Sequence, residues 1–246
     1  VIELDGTYYM YCSYEFFGDT PDQGGHREAL FVSQADNPLG PFGQEKQILH
    51  PFSIDSQIVQ NESGLYLFYS TNTFEGDRIG TYIVVDKMLD PYTPAGHPVP
   101  VVVPTLDEEI FRRARYKTGQ HWHTIEGACY FREGDWQYVM YSGNCYLQPT
   151  YYIGYARAKT DETDLTKIKF EKVPDDHTYA PVIRANDWEE GTGHHSVIKK
   201  DGVWYAVYHA RNVEDDGFEG DRRNARICRL EVKDGTITAH RYPDHI

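Results

Sequence analysis

The 246 residues carry 38 acidic against 24 basic side chains, a formal charge of −14. Such a surface repels phosphate backbones, and the only basic clusters, Arg112-Arg113-Arg115 and Arg222-Arg223-Arg226, are short and interrupted, so nucleic acid is excluded as an expected partner. With 40% hydrophobic and 25% charged residues and no run near the roughly 18 apolar residues of a membrane span, the composition predicts a globular protein without a membrane partner.

The chain opens at Val1 inside a predicted strand, with no signal peptide and no initiator methionine. Further residues are therefore expected upstream, and a cytoplasmic or a secreted location fits equally. The first unit contains the strand Gly6-Thr7-Tyr8-Tyr9-Met10-Tyr11. The same pattern, a turn followed by Tyr, two hydrophobic positions, Tyr and then a small polar residue or His, returns three times. The copies are Tyr66-Leu67-Phe68-Tyr69-Ser70, Tyr138-Val139-Met140-Tyr141-Ser142 and Tyr205-Ala206-Val207-Tyr208-His209. Aligned on the first Tyr, they are spaced 58, 72 and 67 residues apart, a period that points to a propeller or an array.

Each copy is β-branched and aromatic, hence a strand. Each follows another apolar strand across a tight turn; Asp201-Gly202 in particular favours a type I′ hairpin. Third strands follow at 29–33, 80–85, 151–156 and 226–230. Three or four antiparallel strands per unit make one blade. The prediction is an all-β β-propeller, a single catalytic domain over 1–246 with blade-like units near 1–50, 51–105, 122–175 and 180–246. Cys12, Cys129, Cys145 and Cys228 form no CxxC pair and are expected to be buried thiols.

In a propeller the innermost strands line the axis and ligands sit at one mouth, so the openings of the first strands carry the candidate chemistry. They read Ser53-Ile54-Asp55-Ser56-Gln57, Thr124-Ile125-Glu126-Gly127-Ala128-Cys129 and Gly191-Thr192-Gly193-His194-His195-Ser196. Asp55, Glu126 and His194 are read as equivalent points of three units and are expected to converge.

These segments resemble glycoside hydrolase family 43, the five-bladed inverting arabinofuranosidases and xylosidases. Ile54-Asp55-Ser56 is similar to the family's Ile-Asp-Pro segment, Glu126-Gly127-Ala128 to its Glu-Gly-Pro, and Gly193-His194-His195-Ser196 to its Gly-His-Asn-Ser. Residues 33–42 resemble the end of its second blade. The resemblance implies an inverting hydrolase of arabinose- or xylose-containing plant polysaccharides or oligosaccharides, with a carbohydrate as its partner. Glu126 would be the general acid, with Asp55 as the anion that orients it and raises its pKa. Arg223 (in competition with Arg222 and Arg226) and His195 would meet the sugar, and Trp122 would form a wall of the sugar site or sit as a buried blade tryptophan. The chemistry needs no cofactor, and His194 would face an axial calcium ion or water. Two alternatives stand beside this reading: a carbohydrate-binding propeller without catalysis, and a related glycosidase of fructans or galactans.

The first unit resembles blade two of the family, so four of five blades are expected here and the first is expected to be missing. The family's general base, an Asp-Pro aspartate opening blade one, would be missing with it. Asp90-Pro91 is the only such pair, and it follows a third strand, which disqualifies it. Asp5, Asp19 and Asp22 are the remaining contenders.

Overall fold

The computed structural model describes residues 1–117, 119–213 and 222–241. Seventeen of the eighteen strands among the described residues fall into four blades in chain order, and one more precedes the third blade. Blade A is β1 (Ile2–Leu4), β2 (Thr7–Glu15), β3 (Glu28–Ala35) and β4 (Gly43–Gln47). Blade B is β5 (Ile54–Asn61), β6 (Gly64–Thr73) and β7 (Gly80–Asp90), with β8 (Thr93–Pro94) and β9 (Val99–Val102) on its outer edge. After β10 (Ile110–Lys117), blade C is β11 (Gln120–Glu133), β12 (Trp136–Gly143), β13 (Tyr152–Lys159) and β14 (Glu171–Lys172). Blade D is β15 (Glu189–Lys200), β16 (Val203–Asn212), β17 (Asn224–Lys233) and β18 (Thr236–His240). The fold is an all-β propeller whose sheets do not close into a ring. No helix among the described residues is long and apolar enough to cross a membrane.

The Tyr-rich strands take the second place in every blade, and in blades B and C both of their faces are apolar. Along β6, Tyr66 and Phe68 enter the core shared with blade C, while Leu67 and Tyr69 enter the core shared with blade A. Along β12, Val139 and Tyr141 face blade B, and Tyr138 and Met140 face blade D. Side chains alternate across a strand, so a continuous apolar run is what a strand packed on both faces requires. Each large side chain so buried contributes about 1.5–3 kcal/mol. Blade D differs. Its β16 buries Ala206, Tyr208 and Ala210 against blade C, but Val207 is 40% exposed on the other face, beside Ile227 at 65%.

Tight turns follow local chemistry. Asp201 and Gly202 have φ of 50° and 79°, the double positive φ of a type I′ turn, and Asp5-Gly6 and Asp234-Gly235 repeat it. All four cysteines are free thiols. Two features escape the sequence pattern. The segment before blade C forms β10, which pairs with β11 and lengthens it to 14 residues. The start of β11 also pairs in parallel with β7, His123 with Gly80 and Thr124 with Thr81, joining blades B and C into one hydrogen-bonded sheet. Gly80 allows this approach: a Cβ there would stand 1.9 Å from the His123 carbonyl oxygen.

Candidate active site

The inner strands of blades B, C and D share one irregularity. Ile54 pairs with Ser70 and the next pair is Gln57 with Phe68. Glu126 pairs with Ser142, then Cys129 with Met140. Gly193 pairs with His209, then Ser196 with Val207. Each inner strand therefore holds one extra residue at the same step, a β-bulge, which bends the strand and re-aims its side chains. The first bulged residues are Asp55, Gly127 and His194, with φ of 57°, 66° and 46°. Asp and His are among the non-glycine residues that enter this left-handed region more readily than most.

This register corrects one expectation. Asp55 and His194 are equivalent to each other and to Gly127, whereas Glu126 stands one residue earlier, level with Ile54 and Gly193. The bulge adds a residue that a motif comparison cannot assign to either strand face. The offset still serves the site. Asp55 and His194 project from the bulges of the flanking blades over a bare Gly127, where an added Cβ would lie 3.4 Å from His194 Nδ1. Nε2 of His194 is 3.6 Å from Asp55 Oδ1. The Gly127 N–H lies beside the Asp55 carboxylate, whose Oδ2 is buried without a hydrogen-bond partner. Behind them lies an axial cavity of about 320 Å³, lined by Asp55, Gly127, His194 and His195, with Val1 and Tyr11 from blade A.

Glu126 is partly exposed, and its Oε1 accepts the Tyr151 hydroxyl at 2.7 Å. Burial and then the charge of Asp55 push its pKa up to about 7, against His194, the Tyr151 hydrogen bond and Arg223, which pull it down. Burial also raises Asp55, opposed by the Gly127 N–H. Of the coupled pair, Asp55 ionises first, because the Gly127 N–H and the His194 ring lie beside it, and its charge then keeps the proton on Glu126.

Among the three candidate arginines, Arg223 is exposed with its guanidinium 5.0 Å from the Tyr146 ring, and its charge reaches Glu126. Arg226 is held instead by Glu189 at 3.4 Å and by Asn212. Two expectations change. Trp122 is only 2% exposed, packed against His26, Phe74 and Tyr116, with the Arg115 guanidinium 4.9 Å from its ring. It is a buried plate beneath Arg115 rather than an open wall of a sugar site. His195 is 5% exposed, and both its ring nitrogens are buried without a hydrogen-bond partner. Burial, then His194, pushes its pKa down to about 3. It lines the axial cavity as a neutral ring rather than the mouth.

Among the described residues no group of three or more His, Cys, Asp and Glu side chains is placed to hold a metal. The axial cavity offers one carboxylate, the side-chain oxygens of Tyr11, Ser56, Gln57 and Ser196, two imidazoles and a thiol, and its oxygens are of the kind that calcium takes.

The contenders for a base differ in placement. Asp5 sits in the β1–β2 hairpin turn, away from the loop that joins β2 to β3. Asp90 closes the turn after β7 by accepting the Tyr92 N–H. Asp22 lies in the β2–β3 loop at the mouth, but Gly24 N, His26 N, the His26 ring and Asn72 already donate to it. Two residues at the site were not anticipated, Tyr151 and Ser142. The repeat did hold a signal for Ser142. The small polar residue or His that ends three of the Tyr strands (Ser70, Ser142, His209) is the partner across from the bulge.

Residues 1–237 match the family model for glycosyl hydrolases family 43. An extracellular exo-α-(1→5)-L-arabinofuranosidase of Streptomyces avermitilis is 27% identical over 268 residues, covering 98% of this chain and 52% of the relative. The chain thus spans about half the length of that protein. Among solved structures, a thermostable family-43 glycoside hydrolase is 28% identical with a TM-score of 0.73, covering 97% of this chain and 72% of that one. The α-L-arabinofuranosidase of Lactobacillus brevis, at 21% identity and a TM-score of 0.74 over 96% and 72%, shares the fold.

Proposed function

The chain belongs to glycosyl hydrolases family 43, and from that premise we propose an inverting, exo-acting hydrolase that removes arabinose or xylose units from plant polysaccharides or their fragments. The name of the Streptomyces relative makes α-L-arabinofuranosides the first substrates to try. The observation that carries the reading is the Glu126 carboxyl, held by the Tyr151 hydroxyl, with its pKa pushed up towards neutral by burial and the charge of Asp55. A group titrating near the working pH is what general acid catalysis requires.

In this scheme Glu126 gives its proton to the glycosidic oxygen as the bond to the anomeric carbon breaks. A water molecule attacks from the opposite face and loses a proton to a base. Asp55 keeps Glu126 protonated and in place, and Arg223 meets the sugar near the acid. His194 would face an axial water or calcium ion. The base is proposed to come from outside residues 1–246 or from Asp19 in the exposed β2–β3 loop, because Asp22 already accepts four donors and Asp5 lies in a distant turn.

A base outside this chain also favours a second reading, a propeller that binds carbohydrate without cleaving it. Proton NMR of the products decides, with this chain beside a version extended upstream, on arabino- and xylo-oligosaccharides. An inverted anomer from the extended version, with turnover roughly 10²–10⁴-fold lower from this chain, is the expected result. Full turnover by this chain would put the base within it. Sugar binding without turnover by either would favour the second reading.

A further inference from the structure

Tyr151 is fully buried, so its hydroxyl has no water to turn towards and must satisfy itself within the protein. It donates to Glu126 Oε1 at 2.7 Å. Ser142, also fully buried, stands beside the same Tyr151 hydroxyl. The Ser142 oxygen in turn receives the backbone N–H of His194 at 2.8 Å. A backbone N–H can only donate. Ser142 therefore spends a lone pair on His194 and has its proton free to turn towards Tyr151, whose own proton goes to Glu126.

We propose that Ser142 and Tyr151 form a one-way hydrogen-bond chain from the His194 backbone to Oε1 of Glu126, which holds the acid in place and puts its transferable proton on Oε2. The left-handed φ of 46° at His194 gives that residue two tasks. Its N–H anchors the chain, and its ring faces Asp55 at 3.6 Å. Tyr151 and Ser142 are positioning residues, acting through Glu126.

Blade D supplies the room. The position in β15 equivalent to Glu126 is Gly193, and a Cβ there would lie 1.9 Å from the Tyr151 ring. The imidazole of His209, opposite Gly193, stacks on that ring at 5.6 Å and 12°. The glycine at the head of the Gly-His-His-Ser segment is thus needed for the tyrosine of the neighbouring blade rather than for its own backbone.

The assignment rests on Glu126 being the acid, and its test needs no turnover. Glu126 is followed by NMR of ¹³C-carboxyl-labelled glutamate, with its signal identified by its loss in Glu126→Gln. Tyr151→Phe removes a donor to the carboxylate, which should make Glu126 a roughly tenfold weaker acid. Ser142→Ala should weaken it less, since it only depolarises the Tyr151 hydroxyl. Gly193→Ala should reproduce the Tyr151→Phe effect with the tyrosine still present, and combining the two should add little. An unchanged Glu126 titration in folded Tyr151→Phe overturns the proposal, as does a larger change in Ser142→Ala than in Tyr151→Phe. Altered titration without hydrolysis by any version would leave this chain standing and remove the glycosidase reading instead.

Discussion

Glu126 and Asp22 are two shielded carboxylates at the same mouth, and their surroundings drive them in opposite directions. Asp22 lies in the β2–β3 loop, its side chain 9% exposed. Burial pushes its pKa up, but hydrogen bonds from Asn72 and from the His26 backbone and ring outweigh that and hold it below the ordinary carboxylate range. Arg115 can only donate, so Nε2 of His26 accepts from it at 2.8 Å and Nδ1–H is left for Asp22. Glu126 has one hydroxyl donor and the charge of Asp55 nearby, and it is pushed up. Burial acts in the same sense on both. The number of donors aimed at the charged form separates an anchor of the loop from a group that can release a proton.

The largest effect that could break this contrast lies at Glu126. In an active version, Glu126→Gln should lower turnover of glycosides with poor leaving groups by roughly 10²–10⁴-fold, and activated aryl glycosides should lose far less. Equal losses in steady-state kinetics would deny Glu126 the role of proton donor. Stability should respond with opposite signs at the two carboxylates. Ionising a carboxyl whose folded pKa is raised costs stability as pH climbs from its unfolded value, about 4.3, towards 7. Glu126→Gln should therefore be more resistant to urea than the parent at pH 8, with little gain at pH 4, and no gain at pH 8 would mean that Glu126 is not held protonated.

Asp22 has a depressed folded pKa, so its stabilisation is present above the unfolded value near 3.9 and is lost as pH falls through the folded one. Asp22→Ala should cost about 1–3 kcal/mol at pH 7. Urea titrations should show the gap between parent and variant narrowing in strong acid, and a gap independent of pH would point to packing alone. Smaller effects sharpen the picture at Glu126. Asp55→Asn removes the neighbouring anion, which should move the alkaline limb of the pH–rate profile to lower pH. A limb that stays while activity falls would mean that Asp55 acts by contact with substrate. Arg223→Ala should move the limb the other way, to higher pH and by the least, because Arg223 is exposed and its field is screened by salt. Persistence of the full shift at high salt would indicate a direct contact.

Much of this is legible in the sequence alone. The Tyr-rich strands, their near-regular spacing and the Asp-Gly hairpins follow from period-two alternation and from turn residues that tolerate positive φ, both properties of short stretches of chain. The order of the Asp55, Glu126 and His194 segments pointed to one mouth, and their motifs to the family. The site's detail depended on contacts between residues distant in sequence. A single bulge residue per inner strand shifts Glu126 out of step with Asp55 and His194. Trp122 and His195, polar or aromatic residues beside the motif, turn into the interior once blades A and D pack against their neighbours. Tyr151 reaches Glu126 from 25 residues away only because blade D presents a bare Gly193 to its ring. Sequence by itself therefore determined which segments become strands and which residue types gather at the mouth. The packing of one blade on the next decided which hydroxyl meets which carboxyl, because side-chain direction at a bulge is set by the neighbouring sheet and not by the residue's own place in the pattern.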